Sequence, residues 1–141
     1  MTLASEYKRQ WGWRDWASIF DALPPLGGQT VLGLGCAVGD QAVELVARGA
    51  PVIGVDLNDE LLHEAQSRGL TNAEFRRGDL RTLLDTDGAP LEFGGAVDGL
   101  WCSFAAAYFP ELPAVLALWA KHLRPGGWAA LTEIDDLFGH E

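Results

Sequence analysis

The stretch Val31-Leu32-Gly33-Leu34-Gly35-Cys36-Ala37-Val38-Gly39-Asp40 reads as a short apolar strand running into a glycine-rich turn and then a helix. Seventeen residues beyond Gly39, a second apolar strand, Val52-Ile53-Gly54-Val55, ends on Asp56. Glycine lets backbone approach a ligand closely, and a helix start offers unpaired N–H groups. A carboxylate at the tip of the following strand is the usual acceptor for ribose hydroxyls. Turn and carboxylate together point to a cofactor of the adenosine type. Asp56 has a second role open to it, capping the helix that starts near Asn58, and the two are compatible.

Outward from this segment the pattern alternates. Strand 30–34 precedes helix 39–48, and strand 51–55 precedes helix 58–68. Strand 73–76 leads to a short helical turn near 80–84 and a polar, Gly-rich loop through 85–95. Strand 97–102 precedes helix 110–123, and Arg124-Pro125-Gly126-Gly127 turns into strand 128–134. Five strands separated by helices predict parallel pairing in a doubly wound α/β sheet. Ligands in such sheets bind beyond the carboxyl ends of the strands, where strand order reverses. Ahead of the sheet, Tyr7, Trp11, Trp13, Trp16, Ile19, Phe20 and Leu23 recur at spacings of three and four, predicting one or two amphipathic helices that end before Pro24-Pro25.

Composition narrows the function classes. At 141 residues, 48% of them hydrophobic, the chain is expected to form a single packed domain, with residues 1–28 as a helical segment and 29–141 as the sheet core. The net charge of −10 repels phosphate backbones, and Lys8-Arg9 and Arg76-Arg77 are too small to make a basic patch, so nucleic acid is not an expected partner. Cys36 and Cys102 lie in apolar, strand-like surroundings and read as reduced, buried thiols. No apolar run approaches membrane-spanning length, so a cytoplasmic protein without membrane attachment is expected.

The later strand tips carry the next candidates. Asp79, in Phe75-Arg76-Arg77-Gly78-Asp79-Leu80, is placed to accept from an adenine amino group while the Leu80 N–H meets a ring nitrogen. The alternative is a cap for the turn at 80–84. Asp98 stands at the wrong end of its strand for catalysis and reads as structural, bonded to local backbone. Trp101-Cys102-Ser103-Phe104 forms a mostly apolar tip suited to line a pocket. A dinucleotide fingerprint starting at Gly33 requires glycine at position 38, where Val38 stands, which argues against a nicotinamide cofactor.

These elements in this order resemble the class I S-adenosylmethionine-dependent methyltransferases, a Rossmann-like family. Val31 to Gly39 is similar to the family's first signature. Asp56 matches its ribose-binding acid, Asp79 its adenine-binding acid, and Leu123-Arg124-Pro125-Gly126-Gly127-Trp128 the turn into its fifth strand. The resemblance covers about 30–134 and implies S-adenosylmethionine as cofactor. The cofactor-binding set it implies is Gly33, Gly35, Cys36, Gly39, Asp56, Leu57, Asp79, Leu80 and Cys102. Two positions depart from the family pattern. Gly33 stands where the family usually has an acid that helps hold the methionine amino group, and Ala37 replaces a glycine. A charge-assisted contact of that kind contributes about 1.5–3 kcal/mol where it is made. The family's sheet usually adds an antiparallel final pair, which this sequence lacks. A bare apolar edge at 128–134 is therefore expected, covered in a longer chain by a further segment or else by a second copy.

Methyl transfer from a sulfonium is an in-line displacement in which positioning and desolvation do much of the work. A base is required only when the acceptor must lose a proton early. The resemblance places substrate contacts in the N-terminal helix and the loop after the fourth strand: Tyr7, Trp11, Trp13, Arg14, Trp16, Phe104, Tyr108 and Phe109. Arg14 is suited to a carboxylate, and Tyr108 is the candidate acid–base or orienting hydroxyl. The aromatics have the alternative role of packing helix on sheet. His63, His122 and His140 read as solvated, and Glu133-Ile134-Asp135-Asp136 offers too few converging oxygens for a metal site. The expected function is methyl transfer to a small molecule. The alternative is a non-catalytic cofactor-binding or assembly subunit of the same fold.

Overall fold

A computed structural model describes residues 16–37, 39–103 and 109–132. The elements are α1 (Trp16–Asp21), β1 (Val31–Leu34), α2 (Asp40–Ala47), β2 (Val52–Asp56), α3 (Asp59–Gln66), β3 (Ala73–Arg77), β4 (Val97–Ser103), α4 (Leu112–Ala120) and β5 (Leu123–Thr132). The five strands form one parallel sheet in the order β3-β2-β1-β4-β5. Every residue of β1 is buried, as expected of a central strand flanked on both sides and covered on both faces. The order reverses between β1 and β4. The crevice beyond Leu34 and its partner Cys102 is therefore where a doubly wound sheet binds ligands.

Side chains alternate between two cores. Leu32, Leu34, Val55, Leu100, Cys102, Val115 and Trp119 pack on the α4 side, and Phe20, Val31, Ala42, Leu45, Val52 and Trp101 pack on the α1 and α2 side. Phe20 stacks on Trp101 with ring centroids 4.9 Å apart, so α1 closes the second core. Trp101 and Trp119 are fully buried, and truncating either to alanine removes packing worth about 3–5 kcal/mol. Phe109 sits edge-on to Trp119, its centroid 6.1 Å away, which gives this aromatic the packing role. Among the described residues no helix is long and apolar enough to cross a membrane.

Several local expectations are corrected. The short helical turn expected near 80–84 is a single one: the Leu83 N–H donates to the Asp79 carbonyl at 2.7 Å, and the turn ends at Leu83, with a φ of 55°, and at a bridge between Asp79 and Leu84. The fourth helix ends at Ala120, so His122 lies between α4 and β5, half-buried and edge-on to Phe93 at 5.0 Å. Burial, with Lys121 adding to it, lowers its pKa. Arg124-Pro125-Gly126-Gly127 lies inside β5. The ladder pairs Val97 with Leu123 and then Gly99 with Trp128, so the extra residues bulge out where proline has no N–H to give. Asp98 is structural, but its partners are distant in sequence. Its carboxylate accepts from the Thr30 N–H at 2.8 Å and pairs with Arg124, tying the entry of β1 to β4 and β5.

Candidate functional site

The glycine turn is pinned from three sides. The Gly35 and Cys36 N–H groups both donate to the Val55 carbonyl, at 2.8 and 3.1 Å, which folds the turn over the end of β2. Gly35 and Gly39 have φ values of 76° and 87°, and Ala37 shares that left-handed region at 48°. Glycine enters the region freely, whereas alanine does so at a cost of about 1–2 kcal/mol. That cost is offset in part by the third restraint, an Ala37 N–H that donates to Asp56 Oδ2 at 2.9 Å.

Asp56 is thus the hinge pin of the site. Its Oδ1 accepts from the Asn58 N–H at 3.0 Å, an Asx-type turn into α3. The cap of α3 is not Asp56 but Asn58, whose side chain accepts from the Leu61 N–H at 3.0 Å. This frees the remaining lone pairs of Asp56 for a ligand, since a carboxylate offers about four acceptor positions. Leu57, immediately after it, is half exposed at 50% and presents an apolar surface at the tip of β2. The Asp56 carbonyl accepts from the Gly78 N–H at 3.1 Å, which draws the tip of β3 alongside. There Asp79 accepts from the Arg81 N–H at 2.8 Å, so the turn-capping role expected for it is real, and one oxygen remains for other work. Leu80 packs toward the core, its carbonyl accepting from the Trp119 indole at 2.8 Å.

Cys36 and Cys102 are both buried free thiols. A Cβ on Gly54 would lie 2.9 Å from Cys36 Cβ and 2.7 Å from a Phe75 ring carbon, so only glycine lets the turn press onto β2. Burial pushes the Cys36 thiol pKa well up, and the nearby Asp56 carboxylate raises it further. The same negative field favours hydrogen-bond donors, such as ribose hydroxyls, at this point.

Gly33 has a partner that the sequence reading missed. Gln41, the second residue of α2, is the buried polar residue among the described ones, at 3% exposure, and its Nε2 has no hydrogen-bond partner there. A buried donor left unpaired costs about 1–3 kcal/mol. A Cβ on Gly33 would lie 2.8 Å from that Nε2. Gln41 shares the buried face of α2 with Ala42 and Leu45.

The structure therefore brings together Gly33, Gly35, Cys36, Gly39, Asp56, Leu57, Asp79, Leu80 and Cys102 along the carboxyl ends of four adjacent strands. Tyr7, Trp11, Trp13, Arg14, Phe104, Tyr108, His140 and the acidic stretch 133–136 lie outside the described residues. Among the described residues no group of His, Cys, Asp and Glu is placed to hold a metal ion.

A sequence profile of the family described as "Methyltransferase domain" matches residues 31–127, which runs from the first residue of β1 into β5. The chain belongs to the S-adenosylmethionine-dependent methyltransferase family. This methyltransferase domain is 36% identical over 122 residues to the nocamycin O-methyltransferase of Saccharothrix syringae, an alignment covering 81% of the chain and 41% of that protein. It is 34% identical over 103 residues to the trans-aconitate 2-methyltransferase of Deinococcus radiodurans, covering 72% of the chain and 36% of that protein. Among solved structures, an S-adenosylmethionine-dependent methyltransferase from Mesorhizobium loti superposes with a TM-score of 0.70 at 26% identity, covering 81% of the chain and 51% of that protein. The chain thus spans about two-fifths to half the length of the relatives it matches.

The residues present fit the family's cofactor, S-adenosylmethionine. A turn that only glycine can press onto β2, an acid at the tip of β2 with acceptor capacity to spare, and an apolar side chain beside it suit a nucleoside.

Proposed function

We propose that this domain transfers the methyl group of S-adenosylmethionine to a small-molecule acceptor. The observation that carries the proposal is the Asp56 carboxylate, fixed by the Ala37 and Asn58 N–H groups at the tip of β2, next to the switch point of the sheet. In this reading Asp56 accepts from the ribose hydroxyls and Leu57 covers the base. Asp79 accepts from the adenine amino group while the Leu80 N–H donates to the ring. The turn at Gly35 to Gly39 and the start of α2 take the rest of the cofactor, with Cys102 closing the far side beside Leu34. When bound, S-adenosylmethionine supplies a methyl group on a sulfonium, an electrophile that needs no activation by a metal. The chain's own part is to orient and to exclude water.

The acceptor side is assigned to Tyr7, Trp11, Trp13, Arg14 and Phe104, with Tyr108 as the orienting or acid–base hydroxyl. A small acceptor is supported by the trans-aconitate 2-methyltransferase relative and by the acidic charge of the chain, which disfavours nucleic acid. Two buried free thiols support a reducing, cytoplasmic setting. The second reading, a non-catalytic cofactor-binding subunit, draws on the strained Ala37 and the absent acid at Gly33.

Titration calorimetry with S-adenosylmethionine and S-adenosylhomocysteine tests the proposal. The chain should bind both, Asp56→Ala should lose binding, and Asp98→Ala, altered at the opposite end of the sheet, should retain it. Absence of binding at millimolar ligand overturns the proposal. Binding without transfer to any small acceptor favours the second reading.

A further inference from the structure

Gln41 and Gly33 are a matched pair. The Gln41 amide occupies the place a side chain at 33 would take, as the 2.8 Å separation between Nε2 and a Cβ built on Gly33 shows. The same Cβ would lie 3.9 Å from the Cα of Gly54, the partner of Gly33 on β2, so the amide lies against the paired β1 and β2 strands one residue short of the glycine turn. A buried donor without a partner among the described residues needs an acceptor from elsewhere. It also sits in the first turn of an eight-residue helix, where the backbone favours negative charge.

The sheet order says what that acceptor is. Asp56 and Asp79 occupy the tips of β2 and β3, so a nucleoside held by them lies on that side of the sheet. The remainder of an elongated ligand then runs over β1 toward β4, across the start of α2. S-adenosylmethionine carries its one carboxylate at that end, on the amino-acid tail. We propose that Gln41 is a cofactor-binding residue whose Nε2 donates to this carboxylate, directly or through one bound water. Gly33 is kept free of a side chain to admit the amide. The inference rests on the cofactor site proposed above and assigns its amino-acid end a neutral donor from α2 in place of an acid from β1.

The test compares two probes on the whole chain by calorimetry: S-adenosylhomocysteine, and 5′-methylthioadenosine, which lacks the amino-acid tail. Gln41→Leu should bind S-adenosylhomocysteine about ten- to a hundredfold more weakly, the range for a hydrogen bond to a charged group, and 5′-methylthioadenosine unchanged. It should melt no lower than the parent chain, because an unpaired buried amide is replaced by an apolar side chain of similar size. Gly33→Ala, which displaces the amide without altering it, should show the same selective loss and serves where Gln41→Leu does not fold. Equal loss for both probes, or no loss for either, assigns Gln41 to packing alone and overturns the inference. A parent chain that binds neither probe, or an Asp56→Ala variant that binds both normally, instead overturns the cofactor site and the inference with it.

Discussion

Replacing Ala37 by glycine should stabilise the domain, although it removes a methyl group. Ala37 is held at a φ of 48° because its N–H must reach Asp56 Oδ2. An L-residue with a Cβ occupies that region at a cost of about 1–2 kcal/mol, and glycine occupies it freely. Glycine also gives the unfolded chain more freedom, which takes back about 0.5–1 kcal/mol. The net gain is about 0.7 kcal/mol. For 141 residues, an unfolding entropy of about 2.1 cal/mol/K each amounts to about 0.3 kcal/mol/K, so the melting temperature should rise by about 2 °C. Urea denaturation should show a higher midpoint with an unchanged slope, the signature of altered stability without altered compactness. Ala37→Val provides the opposite arm, because a β-branched side chain at positive φ is more strained still and should cost more than about 1 kcal/mol. If Ala37→Gly lowers the midpoint while Ala37→Val is tolerated, the left-handed backbone at 37 is refuted, and with it the account of how Asp56 pins the turn.

Three further outcomes are expected. Gly54→Ala places a methyl group 2.7 Å from the Phe75 ring and 2.9 Å from Cys36 Cβ, so it should cost about 1–3 kcal/mol in urea unfolding and weaken S-adenosylhomocysteine binding. An unchanged midpoint would show that the turn is not pressed onto β2. Burial, and then Asp56, hold the Cys36 thiol pKa above its unfolded value, so the folded state keeps the thiol neutral while the unfolded state ionises. Stability from this group is present below about pH 8.5 and falls as pH rises further, and urea midpoints from pH 7 to 10 should decline less in Cys36→Ala. The Thr30 N–H and then Arg124 hold the Asp98 carboxyl below its ordinary value, so its contribution is present above about pH 3.9 and is lost on acidification. Asp98→Asn should flatten the acid side of the stability profile, and an unaltered profile would show that the Thr30 and Arg124 contacts do not form in solution.

What could be read from the sequence was whatever depends on local chemistry. The apolar run before Gly33, the acid after Val55 and the breaks between helices are enough to set the strands parallel, because alternation of strand and helix forces that pairing; their order across the sheet is a tertiary result. The position of Asp56 at the tip of β2 is legible in the sequence, but its hydrogen bonds to the Ala37 and Asn58 N–H groups are not. Its competition with Asn58 for the cap of α3 is decided by backbone geometry two residues away. The bulge at Pro125 was read as a turn preceding the strand, because proline and paired glycines carry the same local signal in both settings. Gln41 went unremarked because glutamine on a helix is usually solvated. Only the tertiary fold shows that its face is the one turned toward Gly33. His122 shows the same limit, since the helix stops short of it and Phe93, remote in sequence, takes up its ring.

The seam between β1 and β4 has a consequence for how this domain assembles. Strands β1, β2 and β3 follow one another closely along the chain, so each can pair soon after its neighbour forms. The β1–β4 pairing is of another kind, and the Thr30–Asp98 hydrogen bond at its entrance joins residues 68 positions apart. Closing a loop of that length comes at an entropic cost before any contact across the seam compensates for it, which makes this step slow relative to the rest. Both walls of the crevice proposed for the cofactor exist only once the seam has closed. A ligand that spans it would act as a clasp on this long-range junction, opposing its reopening the more strongly the more tightly it binds the closed state.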